Sequence, residues 1–446
     1  MMRRRQAIAL GLALAAHRFT RSAHAMGRLP MAGTVTMRVP HDTARLDPYD
    51  LSDPMAAIVG SAIFEPVFRL DAAGTPYPSL AQSAPVRDGA TVRVTMREGL
   101  RSSRGRPVDA HDLVTSVERA LAGGATALLS EISRPTVLRG QSRVAVFRDV
   151  DPVELARVLS SPLLGLSSRS SSPVAPDGTG PFRAETSTDR LTLTRNRYAA
   201  RGPAFLDQIT LMRAAELAEP LRAFEARQVD VGWLGAGYYQ QRSDAVSFDF
   251  GSVAWIVLRT GSEAGPWGGP GVAQRLLDGI APERLAQLVI GSYPAQSAPI
   301  TWGGAPCDLM APARSPHLIE VARTLASILS APGHELSVRV LPDSEIDRRR
   351  RSRAYALMID VVRPVGPAGI GTLIALATAD DPARARSIVR SPPKLTSFAP
   401  RVLARTLRLG VVGDLLIAGA TLPSIHLLPQ PDGLGWDLGN SYRLGA

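Results

Sequence analysis

Residues 178–198 read GTGPFRAETSTDRLTLTRNRY. Gly178 and Gly180 before Pro181 set a turn at a place where side chains do not fit. Leu191-Thr192-Leu193-Thr194 reads as a strand, and Asn196 just beyond it pairs with local backbone. Working outward, Gly33–Val39 alternates and reads as a strand, with Pro40-His41-Asp42 as the loop after it. Asp53 caps a helix running to Phe64, with Pro54 in its first turn. Thr91–Met96 alternates as a strand. Asp109–Ala122 carries Leu113, Val117 and Leu121 on one helical face.

Downstream, strands are read at Phe205–Met212, Val229–Leu234, Ser252–Arg259, Glu335–Leu341 and Tyr355–Val362. Helices are read at Ala215–Arg227, where Pro220 intrudes, and at Val272–Ile280, Glu283–Ile290 and His317–Leu329. Ser160–Asp177 is rich in Ser and Pro and reads as a surface loop or crossing segment. Strands and helices alternate through most of the chain, so the class is α/β. At 446 residues the chain suits two or three domains, and 45% hydrophobic residues suffice for a sizeable core.

The formal net charge is +11. Lys394 is the only lysine, so the basicity is almost wholly arginine, and with abundant Ala, Gly and Pro it points to a GC-rich genome. No basic stripe is interleaved with aromatics, which argues against a single-stranded nucleic-acid platform. Cys307 stands alone, so no internal disulfide and no cysteine zinc cluster can form. His41, His111, His317, His334 and His426 show no paired ligand spacing, so no metal site is expected.

Residues 1–25 read as a signal peptide: Arg3-Arg4-Arg5, the apolar run Ala7–Ala16, and Ala23-His24-Ala25 before a cleavage point. Arg4-Arg5 resembles a twin-arginine signal. No cysteine follows the cleavage point and no later run is long enough to span a bilayer, so an exported, soluble, unanchored protein in the periplasm is expected.

Several segments in shared order resemble the family 5 extracellular solute-binding proteins, the peptide- and nickel-binding group of ABC importers. They are Arg45-Leu46-Asp47-Pro48, Ile63–Phe68, Pro78-Ser79-Leu80-Ala81, Val94–Leu100, Gly105–Leu113, Gly178–Phe182 and Arg195–Tyr198. The match is densest over residues 34–212 and faintest beyond about 365. It departs at Ala281-Pro282, where an Asp-Arg pair is usual.

The resemblance implies a two-lobed periplasmic-binding-protein type II fold with an extra subdomain on lobe one. Lobe one is expected at 26–60, 172–250 and 420–446, the subdomain at 61–171 and lobe two at 251–419. It further implies a monomer without cofactor or catalysis that closes over a small ligand and presents the closed form to permease subunits.

Candidate ligand residues are His41 and Asp42 after the first strand, the aromatics Trp233, Tyr238, Trp255 and Trp302, and Asp360 with Arg363. Peptide binders of the family hold the α-amino group with an aspartate near this last position. Arg363 there favours a carboxylate or other anion. The run Arg348–Arg351 with Arg353 reads as a solvated face of lobe two.

Two rival readings differ in kind. A sensor would couple the same closure to a receptor. An exported hydrolase would need acids such as Asp149 with Asp151 or Asp380 with Asp381, but each pair sits beside a proline, as turn residues do, and no nucleophile or metalloprotease motif accompanies them.

Overall fold

The computed structural model describes residues 32–445 except 130–131, 234–243, 289, 292, 367–368, 392, 395, 397–398, 432 and 434. The signal-peptide reading therefore falls outside the described residues.

Ten strands carry the main sheet: β1 Thr34–Val39, β2 Phe182–Ser187, β3 Arg190–Arg195, β4 Gln208–Arg213, β5 Val231–Trp233, β6 Val246–Thr260, β7 Cys307–Pro312, β8 Leu336–Leu341, β9 Leu357–Val362 and β10 Leu409–Thr421. Their order is β8-β7-β9-β6-β10-β5-β1-β4-β3-β2, and the short strand Ile290–Gly291 pairs with β10. β1 lies parallel to β4 and β5, and β7 lies parallel to β8 and β9, whereas β6 and β10 pair antiparallel with each other along almost their whole length. The shorter strands thus form two groups, one on each side of the long β6/β10 ribbon. This is a mixed α/β fold of two lobes on one curled sheet. A separate four-stranded sheet, drawn from residues 86–148, makes the subdomain.

The ribbon is irregular around Gly251 and again between Ile256 and Val257. Its register shifts between Asp249 and Ser252 and again between Ser252 and Ala254, around Gly251 at φ 76°. The expected lobe boundary at residues 250–251 lies inside this strand. From Val253 onward β6 is buried on both faces, which explains its unbroken apolar composition.

Helix α1 (Pro54–Ile63) is capped by Asp53, whose carboxylate accepts from the Ala56 amide, with Pro54 at the first helical position. Helix α2 (Ala110–Gly123) has a full capping box between Asp109 and Asp112. Further along the chain come α3 (Val272–Asp278), α4 (Pro316–Leu329), α5 (Asp343–Ser352) and α6 (Ile370–Thr378).

Three sequence readings are corrected. Glu283–Ile290 is not an α-helix but two short 3₁₀ turns, Pro282–Arg284 and Ala286–Leu288, and the buried Leu285 and Leu288 match three-residue spacing. The helix read at Ala215–Arg227 begins only at Glu219, where Pro220 falls in its first turn. Of the two readings of Ser160–Asp177, the surface loop fails over residues 161–168: Ser161, Ser167 and Ser168 are buried, the Tyr49 hydroxyl bonds Ser167 Oγ and the Gly165 carbonyl, and Asp177 accepts from Ser103 Oγ.

The Gly178-Thr179-Gly180 turn has a steric basis. A Cβ on Gly178 would stand 2.1 Å from the Ile63 carbonyl, and one on Gly180 2.8 Å from it. The Gly180 amide donates to that carbonyl at 2.9 Å, and Asn196 Nδ2 donates to the Gly180 carbonyl at 2.8 Å. The turn therefore clasps the C-terminal end of α1. Gly178→Ala should lower the unfolding free energy by about 2 kcal/mol or more, since backbone rather than a movable side chain opposes the methyl. Urea unfolding followed by circular dichroism measures it.

Candidate functional site

The loop from Pro40 to Asp53 leaves the end of β1 and is folded by its own aspartates. Asp47 Oδ1 accepts from the Tyr49 amide, Asp50 Oδ1 from the Ser52 amide, and Asp53 Oδ2 from the Asp47 amide at 2.7 Å. Burial first, then the neighbouring Asp50, push the Asp53 carboxyl up to about 7.

The end of β9 meets this loop. Asp360 is buried and ion-paired with Arg259 at 2.7 Å and with Arg350 of α5 at 2.9 Å; Ser52 Oγ also donates to it. Three residues on, Arg363 is 3% exposed. Its amide donates to the Leu51 carbonyl at 2.9 Å. Its Nη1 donates to the carbonyls of Pro48 and Asp50, each at 3.2 Å, and reaches that of Asp47 at 3.5 Å. Its Nε is buried and unpaired, and among the described residues no carboxylate lies within ion-pair distance. Burial lowers its pKa.

Two cavities flank this contact. The first, about 560 Å³ of open space, is lined by six aspartates (Asp42, Asp50, Asp53, Asp343, Asp347 and Asp360) and by Arg45, Arg314 and Arg350. Burial and the nearby Asp42 raise the Asp343 carboxyl to about 6. The second, about 770 Å³, has walls from α1 (Ala56, Ala57, Gly60, Ser61), from Phe64, Pro66, Leu70, Ser160 and Pro162, from Val253 beside the ribbon irregularity, and from Gln430. Arg69 and Arg363 also line it, and no described lining residue is a carboxylate.

The sequence candidates are distributed unevenly over this geometry. Asp42 pairs with Arg314 and lines the acidic cavity, as does Asp360; Arg363 lines the apolar one. His41 is buried, bonded through Nδ1 to Ser315 Oγ at 3.1 Å, with its ring 5.6 Å from that of His317 and 6.2 Å from that of Trp233. The three rings pack together beside the end of β1 and the start of α4. Trp255 lies in the core, and Trp302 is packed at 5.1 Å on Trp267 with its indole N–H on the Ala305 carbonyl; both line neither cavity. Tyr238 lies outside the described residues.

Sequence reasoning passed over Gly60, Ser61, Arg69 and Gln430. The motif Ile63–Phe68 stood beside them but was read only as holding the fold. The arginine run Arg348–Arg351 is likewise more than a solvated face, because Arg350 reaches Asp360.

Three of the four paired acids have structural partners: Asp151 and Asp381 cap helices, and Asp380 accepts from the Arg408 amide and pairs with Arg353. No helix among the described residues is long and apolar enough to cross a membrane, and no cluster of three or more His, Cys, Asp or Glu suited to a metal ion is found among them.

His317 is held neutral. Burial lowers its pKa to about 4, against a partial upward pull from its contact with the Leu288 carbonyl, and His41 is lowered by burial and by His317. A folded-state value below the unfolded one means that stability is present above about pH 6.5 and is lost as pH falls towards 4. Relative to His317→Gln, in which the opposing shifts of Asp53 and Asp343 are retained, the wild-type protein should lose on the order of 3 kcal/mol across that window. Urea unfolding at stepped pH gives the difference.

Residues 75–252 match the bacterial extracellular solute-binding proteins, family 5 Middle. No curated protein matches the chain in sequence. Among solved structures, the oligopeptide-binding protein AppA of Bacillus subtilis with a nonapeptide is 11% identical at a TM-score of 0.67, covering 93% of this chain and 100% of its own. NikA of Staphylococcus aureus with Ni(L-His)2 is 15% identical at 0.64, covering 92% and 100%. AgaA with agropinic acid, from A. tumefaciens R10, is 15% identical at 0.64, covering 93% and 99%. The family match thus rests on residues 75–252, and the likeness to these solved structures shows a fold shared over nearly the whole length.

Proposed function

We propose that the chain is the exported solute-binding subunit of an ABC importer, capturing an anionic organic or peptide-like solute between its lobes. The observation that carries this is the cavity beside Arg363. Its walls come from α1, the subdomain, the β6/β10 ribbon and the end of β9 together, so an occupant touches every body that hinge closure brings together. Closure is driven only by contacts that differ between the open and closed states, and an occupant held from both sides supplies them. The break at Gly251 is the place where the ribbon can bend.

The lobe boundaries at 26–60, 172–250 and 420–446, with 61–171 and 251–419, belong to this proposal, as do export into the periplasm and the monomeric state. So does the assignment of Arg363 and Asp360 as binding and interlobe-positioning residues. Asp42, paired with Arg314, joins the two lobes at the rim. The family match over residues 75–252, together with structural neighbours solved holding a nonapeptide, a nickel–histidine complex and agropinic acid, supports a carrier that performs no covalent chemistry.

The protein beginning at Met26 is screened by thermal shift against peptides, amino acids, sugars, organic acids and metal chelates, and hits are followed by small-angle scattering. A ligand at about 100 times its Kd adds roughly 2.7 kcal/mol of stability. The expected result is a shift with one class, a smaller radius of gyration with that ligand, and loss of both in Arg363→Ala. A hit that leaves the radius unchanged counts against hinge closure.

A further inference from the structure

Arg363 is a buried cation whose charge is not matched by a bonded carboxylate. The other buried arginines of the interior are matched: Arg259 by Asp360 at 2.7 Å, and Arg401 by Asp278 at 3.0 Å. Arg69, the second arginine of the same cavity, donates to Gln430 Oε1 at 2.8 Å and lies 3.6 Å from Glu65. An unpaired buried charge is costly, and neutral carbonyls satisfy its hydrogens without neutralising it.

The hydrogen bonds of Arg363 are also one-sided. Nη1 alone serves the carbonyls of residues 47, 48 and 50. Nε has no partner, and no described residue accepts from Nη2, which stands 3.9 Å from the position a Cβ on Gly60 would take. Nε and Nη2 form the edge of a guanidinium that grips a carboxylate with two parallel N–H···O bonds. Gly60 and Arg363 line the same cavity, and Nη2 stands on its Gly60 side, with the unpaired Nε buried beside it. The remaining walls are mainly Ala, Pro, Phe, Leu and Val, and no lining carboxylate stands ready for an ammonium group.

From this geometry we infer that the cavity takes a carboxylate with an apolar body, bound bidentately by Nε and Nη2 of Arg363, and that it discriminates against amines and amides of the same shape. The inference rests on the solute-binding reading and sharpens it by naming the ligand class. The three aspartates near Arg363 do not supply the missing partner. Asp47 and Asp50 meet it through their backbone carbonyls, and Asp53 is held by the amides of Asp47 and Ala56.

The test uses acetate, benzoate, phenylacetate and octanoate, with benzamide, benzylamine and inorganic phosphate as comparators, at ionic strength matched with sodium chloride. Binding is read by thermal shift and calorimetry and closure by scattering. Expected is binding of at least one apolar carboxylate, at least tenfold tighter than the matched amide or amine. Arg363→Lys keeps the charge but not the two-donor edge and should weaken it tenfold or more; circular dichroism melts establish that this variant and Arg363→Gln are folded.

Equal binding of benzoate and benzamide, carboxylate affinity unchanged in the folded Arg363→Lys protein, a response to phosphate alone, or no response to any carboxylate would overturn the inference. A neutral or cationic solute that closes the lobes would overturn it while leaving the importer reading intact. Carboxylate binding at Arg363 without closure would uphold it and sink the importer reading.

Discussion

The contact on which the rest depends is backbone against backbone: the Gly178–Gly180 turn pressed on the Ile63 carbonyl. Helix α1 is short, and its two ends are fixed by different means. At its start Asp53 ties the cap to the loop behind β1. At its end the glycine turn, itself pinned by Asn196, leaves no room to move. Between these anchors the exposed side of α1 becomes one wall of the apolar cavity. The indole N–H of the buried Trp436 donates to the Ile58 carbonyl, tying the C-terminal segment to the same helix. A wall built this way is rigid, and a rigid wall can discriminate between ligands.

The arginine content takes on a second meaning in the structure. A net charge of +11 invites a search for a polyanion partner, yet much of the guanidinium inventory is used internally. Asp278 alone accepts from Arg401 and Arg405, and Asp360 from Arg259 and Arg350. Breaking such buried pairs by removing one partner costs more than the pairs are worth relative to apolar replacements, so they act as geometric constraints. Here they fix the end of β9, and with it the backbone from which Arg363 projects.

The α/β class, the capped helices and the close-packed glycines were legible because each leaves a local mark. Alternation reports the pleat, Asp-x-x-Asp reports the box at Asp109, and paired glycines report a missing Cβ. What was not legible is non-local. No window of sequence shows that Arg350 turns inward from a basic run, that Ser167 is buried against the Tyr49 hydroxyl, or that Trp302 faces Trp267 rather than a cleft. A tryptophan is large and apolar in both settings, so composition cannot separate a binding wall from a core. The continuous β6/β10 ribbon escaped for a related reason: its break is a register shift against a partner strand more than 160 positions away.

Arg363 joins these threads because one guanidinium faces two tasks. Its Nη1 and its backbone amide hold the loop of residues 47–51, while its Nε has no partner; on the proposed reading that edge is the one an occupant takes. Without an anion, drawing this cation into the contact means desolvating an unmatched charge, which opposes closure. An anion on the free edge removes most of that penalty while leaving the carbonyl contacts in place. The ligand then stabilises the closed arrangement more than the open one, which is the only way in which a ligand shifts such an equilibrium. On this view the selectivity for charge and the coupling to closure are a single electrostatic requirement, met at one residue.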